Sequence, residues 1–219
     1  LTQMKNLSLH HLTRPSTLKE NAPVLIMLHG YGSDENDLFS FASELPEELF
    51  IISVRAPYKM QPNGNAWYAI NFDADQKKWS DDEQAKESRD KISNFIDEVV
   101  EAYPINKNNI TLLGFSQGTI LSYAVALSYP EKIRNVVALS GYINLDIIKD
   151  NFKSNNLSKL NFYCSHGSVD QVIPVDWARR TPEILKNLNV DYIYEEFPVG
   201  HGVAPQNFFS LKAWLKNKV

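Results

Sequence analysis

Short apolar runs rich in β-branched residues alternate along this chain with stretches whose apolar positions recur every three to four residues. The strand-like runs are residues 24–29, 50–54, 110–115, 135–140, 161–165 and 192–197. Several are apolar at nearly every position, the pattern of strands buried on both faces. One or two weaker strands are expected before Arg14. In the longest amphipathic stretch Ile92, Phe95, Ile96, Val99 and Val100 fall on one helical face. Ser80 with Glu83 three residues on reads as a capping box that starts this helix near Asp81, and Pro104 ends it. A second helix is expected to follow Ser116 and to run through Leu121, Ala124, Val125 and Leu127 as far as Pro130. Others are expected near residues 177–188 and 207–216. Strands alternating with helices predict the α/β class, with a mainly parallel central sheet flanked by helices.

No linker, repeat or shift of composition divides the 219 residues, which suits one domain spanning 1–219. A chain of that length buries roughly 70% of the surface it exposes when unfolded, so no disulfide or metal staple is required. Residues 58–78 hold Pro, Gly, Asn and aromatics without a period and read as a long loop. Such loops are either functional or ordered surface excursions, and both readings stand.

Composition narrows the function classes. Hydrophobic residues make up 43% and charged residues 22%, close to globular averages. A net charge of −4 argues against nucleic-acid binding, which asks for a basic surface. No apolar run approaches the ~20 residues of a membrane span, so stable membrane insertion is not expected. Cys164 is the only cysteine, which excludes an intramolecular disulfide and fits the cytoplasm. The chain opens on Leu1, so an upstream segment is expected to be missing, and a secreted or periplasmic location stays open. A homodimer is an option on general frequency alone.

The chemistry concentrates where apolar runs end. Gly114-Phe-Ser-Gln-Gly118 is a Gly-x-Ser-x-Gly string placed after a buried strand and before an apolar helix. In that context it reads as a nucleophile elbow, a sharp turn that raises Ser116 above the sheet at a helix N-terminus. The bland alternative is a Gly-rich turn whose serine only caps the helix. A serine hydroxyl needs an adjacent base, and on this pattern the acid and the base follow it in that order. Of the five histidines only His166 and His201 follow Ser116. His201, between Gly200 and Gly202 just past the last strand, is the candidate base, its glycines letting the loop carry the ring over the strand ends. Asp170, directly after another strand, is the candidate acid. Asp176 competes but reads as the start of a helix, where Asp is common. His166 reads as a structural residue of the turn before Asp170.

His29-Gly-Tyr-Gly32 follows the first strong strand. A backbone N–H from this loop, most simply that of Tyr31, and the N–H of Gln117 would form an oxyanion hole, each contributing on the order of 3–4 kcal/mol to a transition state. His29 is expected to hold the loop. The rival use of such a loop, a dinucleotide site, lacks its third glycine because position 35 is Glu. No zinc-spaced cluster or phosphate-binding lysine motif occurs, so no cofactor and no metal are expected. Trp67 and Tyr68 are candidate substrate-pocket residues, with Trp67 expected to contact an acyl chain; Trp177 is expected simply to pack.

Together these segments resemble the phospholipase/carboxylesterase family, which includes the acyl-protein thioesterases. The resemblance runs from about residue 24 to residue 201. It rests on Leu28-His-Gly-Tyr-Gly-Ser-Asp-Glu-Asn-Asp37, Arg55-Ala-Pro57, Trp67-Tyr68, the Ser116 elbow, His166-Gly-Ser-Val-Asp170 and Gly200-His201-Gly202. It implies an α/β-hydrolase fold without a large lid domain. It also implies hydrolysis of short- to medium-chain acyl esters, and for some members thioesters or lysophospholipids. Ser116, Asp170 and His201 take the triad positions, Tyr31 and Gln117 the oxyanion positions, and Trp67 that of an aromatic beside the site. Thr119 stands where many members have another Gly and Tyr31 where the animal thioesterases carry Leu, which points to the bacterial branch. An acetyl- or feruloyl-esterase, a serine peptidase, or a non-catalytic ligand-binding protein on the same fold remain alternatives.

Overall fold

The computed structural model describes residues 5–72 and 78–219. Its strands are β1 (His11–Arg14), β2 (Ala22–Leu28), β3 (Phe50–Val54), β4 (Tyr58–Lys59), β5 (Asn65–Ala66), β6 (Ile70–Phe72), β7 (Lys78–Ser80), β8 (Ile105–Phe115), β9 (Asn135–Leu139), β10 (Asn161–Gly167) and β11 (Asp191–Phe197). Its α-helices are α1 (Glu35–Phe39), α2 (Asp82–Ala102), α3 (Gln117–Ser128), α4 (Val175–Ala178), α5 (Thr181–Asn187) and α6 (Pro205–Lys218). Seven strands form one sheet in the order β1-β3-β2-β8-β9-β10-β11. All neighbours are parallel except β1, which runs antiparallel to β3.

The alternation along the buried strands sorts the core into two layers. Val24, Ile26, Leu28, Ile52, Leu112, Val136 and Phe162 point to the face covered by α2, α3 and α5. Leu25, Met27, Ile51, Leu113, Val137 and Tyr163 point to the other face, against Leu38 of α1 and Leu211, Trp214 and Leu215 of α6. Each such side chain contributes roughly 1.5–3 kcal/mol by leaving water. α3 is buried at every position, so it shows no polar face.

Several expectations shift in detail. One strand, β1, precedes the first strong run among the described residues. The N-cap of α2 is Asp81 and not Ser80: Asp81 accepts the Gln84 N–H at 3.0 Å, while Ser80 closes β7. The Gln84 side chain accepts the Ala69 N–H instead of turning back to the cap, so the helix start is tied to the preceding loop. The expected helix over residues 177–188 is two, because Pro182 has no N–H to continue the first and sits in the opening turn of the second. Residues 58–72 carry two-residue and three-residue strands, with β4 paired to β5 and β6 to β7, where one loop was expected. Residues 73–77 of that expected loop lie outside the described residues.

Register places the strand ends in one row. Leu28 lies beside Val54 and Gly114, Phe115 beside Leu139, and Gly167 beside Phe197. The segments leaving β2, β8, β9, β10 and β11 therefore emerge side by side at the carboxyl edge of the sheet, where ligands bind in open α/β folds.

Candidate active site

Ser116 is the single residue between β8 and α3, with φ 56° and ψ −116°. A non-glycine residue in such a region stores on the order of 1–3 kcal/mol of strain, which the surrounding packing must hold. The turn is tight enough to forbid a side chain at Gly118, where a Cβ would fall 1.9 Å from the Leu28 carbonyl oxygen. The Ser116 N–H donates to Leu139 O at 2.9 Å and ties the turn to β9.

The Ser116 hydroxyl lies 3.0 Å from His201 Nε2, and His201 Nδ1 lies 2.7 Å from Asp170 Oδ2. A carboxylate only accepts, so Nδ1 carries the proton and Nε2 is free to take one from the serine. The Phe115 ring packs 4.9 Å from the imidazole. Asp170 Oδ1 accepts the N–H groups of Val172 and Ile173 at 2.8 and 2.9 Å. Burial pushes the Asp170 carboxyl up, but the hydrogen bonds from His201, Ile173 and Val172 outweigh it and hold it below the ordinary aspartate value. Such a chain is able to make the serine nucleophilic and to stabilise an imidazolium. The competitor Asp176 lies in α4, paired with Arg179 at 3.5 Å.

The glycines beside His201 do not have the expected role. A Cβ at Gly200 or Gly202 would enter open space, and neither has a left-handed φ. The glycine that lets the loop close is Gly167, whose Cβ would sit 2.1 Å from Gly200 O. It brings the acid-bearing and base-bearing loops into backbone contact.

Tyr31 and Gln117 both line the cavity over Ser116, and neither backbone N–H donates to another group among the described residues. The orientation of the Tyr31 amide follows from His29. Its Nδ1–H donates to Gly30 O at 2.8 Å, while its Nε2 accepts the Ala56 N–H at 3.0 Å. In a trans peptide C=O and N–H point opposite ways, so turning Gly30 O toward His29 turns the Tyr31 N–H away from it. Gln117 is locked by its side chain, which accepts the Trp67 N–H at 2.8 Å and donates to Tyr68 O at 2.9 Å. The Glu35 carboxylate, buried in α1, receives Arg55 at 2.8 and 2.9 Å and secures the far end of the loop.

The cavity has a volume of about 470 Å³. Tyr68 lines it, as expected. Trp67 does not: it is wholly buried, its indole N–H donates to His29 O at 2.8 Å, and its ring packs 5.6 Å from that of His29. Trp177, expected only to pack, forms part of the wall and meets Tyr142 edge-on at 5.1 Å. Ile70, Trp79, Ile120 and Val172 add to the apolar lining. Tyr142 was within reach of sequence reasoning, since it lies just beyond the carboxyl end of β9.

The electrostatics fix an acid lability. Burial lowers the pKa of His29 and of His11 from the ordinary 6.5, and the Arg55 hydrogen bond lowers that of Glu35 from 4.5. Asp170 is held below 3.8. In each case the unfolded chain binds the proton more readily, so the stability these groups contribute is complete above the unfolded value and is lost as pH falls. The melting temperature is expected to decline in two stages, below about pH 6.5 for the histidines and below about pH 4.5 for the carboxylates. Melts between pH 8 and pH 3 check this, and a flat profile down to pH 5 would refute the first stage.

A profile of the Phospholipase/Carboxylesterase family matches residues 14–219. The chain belongs to that family. Acyl-protein thioesterase 1 of Emericella nidulans is 29% identical over 220 residues, covering 90% of this chain and 91% of its own length. A probable carboxylesterase of Oryza sativa subsp. japonica is 29% identical over 121 residues, which are 55% of this chain but only 45% of the rice protein. The crystal structure of esterase PE8 superposes with a TM-score of 0.83 at 22% identity, covering 97% of this chain and all (100%) of the other. The α/β-hydrolase fold and ester or thioester hydrolysis are thus those of a phospholipase/carboxylesterase family enzyme. The bacterial branch expected from Tyr31 and Thr119 is not borne out, since relatives of similar identity come from rice, fungi and mouse. None of the described helices is long and apolar enough to cross a membrane.

Proposed function

We propose that this chain is a serine carboxylesterase that hydrolyses short- to medium-chain acyl esters, and thioesters of similar size, through a Ser116–His201–Asp170 triad and an acyl-enzyme. The observation that carries this reading is the continuous hydrogen-bond chain from Asp170 through His201 to Ser116 at the base of an apolar-walled cavity. His201 takes the Ser116 proton as Oγ attacks the carbonyl carbon. The N–H groups of Tyr31 and Gln117 receive the oxyanion. His201 then protonates the leaving alcohol or thiol, and water activated by the same imidazole releases the acid.

The cavity volume falls in the range of about 300–1,000 Å³ usual for small ligands, and its walls suit an acyl chain. Each methylene taken from water contributes ~0.8 kcal/mol, so the two that separate acetate from butyrate should raise kcat/KM by roughly tenfold. With p-nitrophenyl acetate, butyrate, octanoate and palmitate, kcat/KM is expected to rise to an optimum at butyrate or octanoate and to drop at palmitate. A fluorophosphonate probe is expected to label wild type and not Ser116→Ala. Absence of turnover on the whole series, together with an unlabelled Ser116, would sink the proposal in favour of a non-catalytic binding protein.

A further inference from the structure

We infer that His166 is a positioning residue that holds Asp170 in the orientation His201 requires, an inference that rests on the triad reading above. His166 stands near the end of β10 with its side chain fully enclosed. Its Nε2 is 2.8 Å from Ile173 O and 3.3 Å from Asp170 Oδ2. A carbonyl oxygen only accepts, so Nε2 carries the proton and donates it to Ile173 O, with the Asp170 carboxylate close beside that N–H.

Ile173 is therefore gripped at two points, one in each of the peptide units that flank it. Its carbonyl takes the His166 proton, and its own N–H donates to Asp170 Oδ1 at 2.9 Å. The turn from Asp170 to Ile173 is thus held by hydrogen bonds at both of its ends, with His166 as the member that comes from the sheet. Nothing else claims this imidazole. His166 Nδ1 has no partner among the described residues. Glu196, opposite His166 in the β10–β11 register, is engaged by Arg179 at 2.8 and 2.9 Å and by Tyr194 at 2.9 Å. A histidine present only for packing has no need of a ring with one unpaired nitrogen, and an apolar ring would fill the same space. All the polar contact of this ring goes to the turn that carries Asp170.

The consequence is directional. Oδ2 must stay within 2.7 Å of His201 Nδ1 to orient the base. Freed from His166, the turn can rotate the carboxylate away from that line, and a displacement of about 1 Å near reacting groups can cost on the order of 100-fold in rate.

The test compares wild type, His166→Phe, His166→Gln and Asp170→Ala on p-nitrophenyl butyrate across pH. His166→Phe keeps the bulk and removes the N–H. It is expected to lower kcat by roughly 10–100-fold while KM stays within about twofold, as for a loss confined to the transition state. The acidic limb of its kcat/KM profile is expected to move to lower pH, because a displaced carboxylate stabilises the His201 imidazolium less. His166→Gln, which restores an N–H donor, is expected to recover most of kcat and the wild-type limb. Should His166→Phe not fold, His166→Asn, too short to reach either acceptor, takes its place beside the Gln variant. An apolar variant with wild-type kcat and pH profile, altered only in melting temperature, would overturn the inference, as would a Gln variant no better than Phe. If Asp170→Ala is inactive while His166→Phe is unimpaired, this inference falls alone. If Asp170→Ala retains full activity, the triad reading falls and takes the inference with it.

Discussion

Ser116→Ala is expected to lower kcat for any ester the enzyme accepts by roughly 10⁵–10⁶-fold, with little change in KM. The loss is large because the hydroxyl at 3.0 Å from His201 Nε2 is the only nucleophile on the chain of hydrogen bonds that ends at Asp170. His201→Ala should cost about as much, and the double variant no more than the worse single one, since the two groups act as a unit. Asp170→Asn should leave the backbone bonds to Oδ1 largely in place yet cost about 10⁴-fold, because an amide facing Nδ1 favours the wrong tautomer. The residual rate is expected to come from the proposed oxyanion donors, the Tyr31 and Gln117 amides. Single-turnover measurement on a p-nitrophenyl ester reads all four variants. Losses that multiply in the double variant would show that Ser116 and His201 act independently, which this geometry does not allow.

The second large effect is on stability and centres on Trp67. Trp67→Ala should destabilise the fold by about 3–5 kcal/mol, the range for removing a fully enclosed large aromatic. It also strips His29 O of its indole donor. Because the ring lies behind the loop and outside the cavity, acyl-length preference should be unchanged. Trp177→Ala is the matching control: it lies in the cavity wall, is two-fifths exposed, and should shift the chain-length optimum with little change in stability. Urea unfolding and the ester series on both variants separate the two roles. If Trp67→Ala changed the chain-length profile while keeping its unfolding midpoint, this assignment would be reversed.

Trp67 also marks where sequence reasoning stops. The motif expects it beside the site, and in the structure its backbone binds Gln117 and its indole binds His29 O. Which way a side chain turns from a loop is decided by partners far along the chain, and no local pattern records that. The buried strands were legible because both faces of the sheet are covered, which leaves a continuous apolar run. The short strands β4 to β7 were not. They are too brief to show a period, and they are held by backbone bonds such as Gly32 N–H to Asn65 O at 2.9 Å. Ser116, Asp170 and His201 could be chosen because each follows a strand that could be read, and parallel strands deliver their ends to one edge. The role of Gly167 could not, because it depends on Gly200 lying opposite, a contact between segments more than thirty residues apart in the chain.

The row of strand ends divides the labour of this protein between two kinds of sequence. The proposed reacting groups follow directly from the sheet, and their spacing is set by a hydrogen-bonded ladder that tolerates little change. Much of the apolar cavity wall comes from strands β6 and β7 and the segment around Val172 and Trp177, neither of which lies in the ladder. Substitutions in those walls can therefore retune what is accepted while the bond-breaking apparatus stays as it was. A lineage built on this plan is free to diversify its diet without relearning its chemistry.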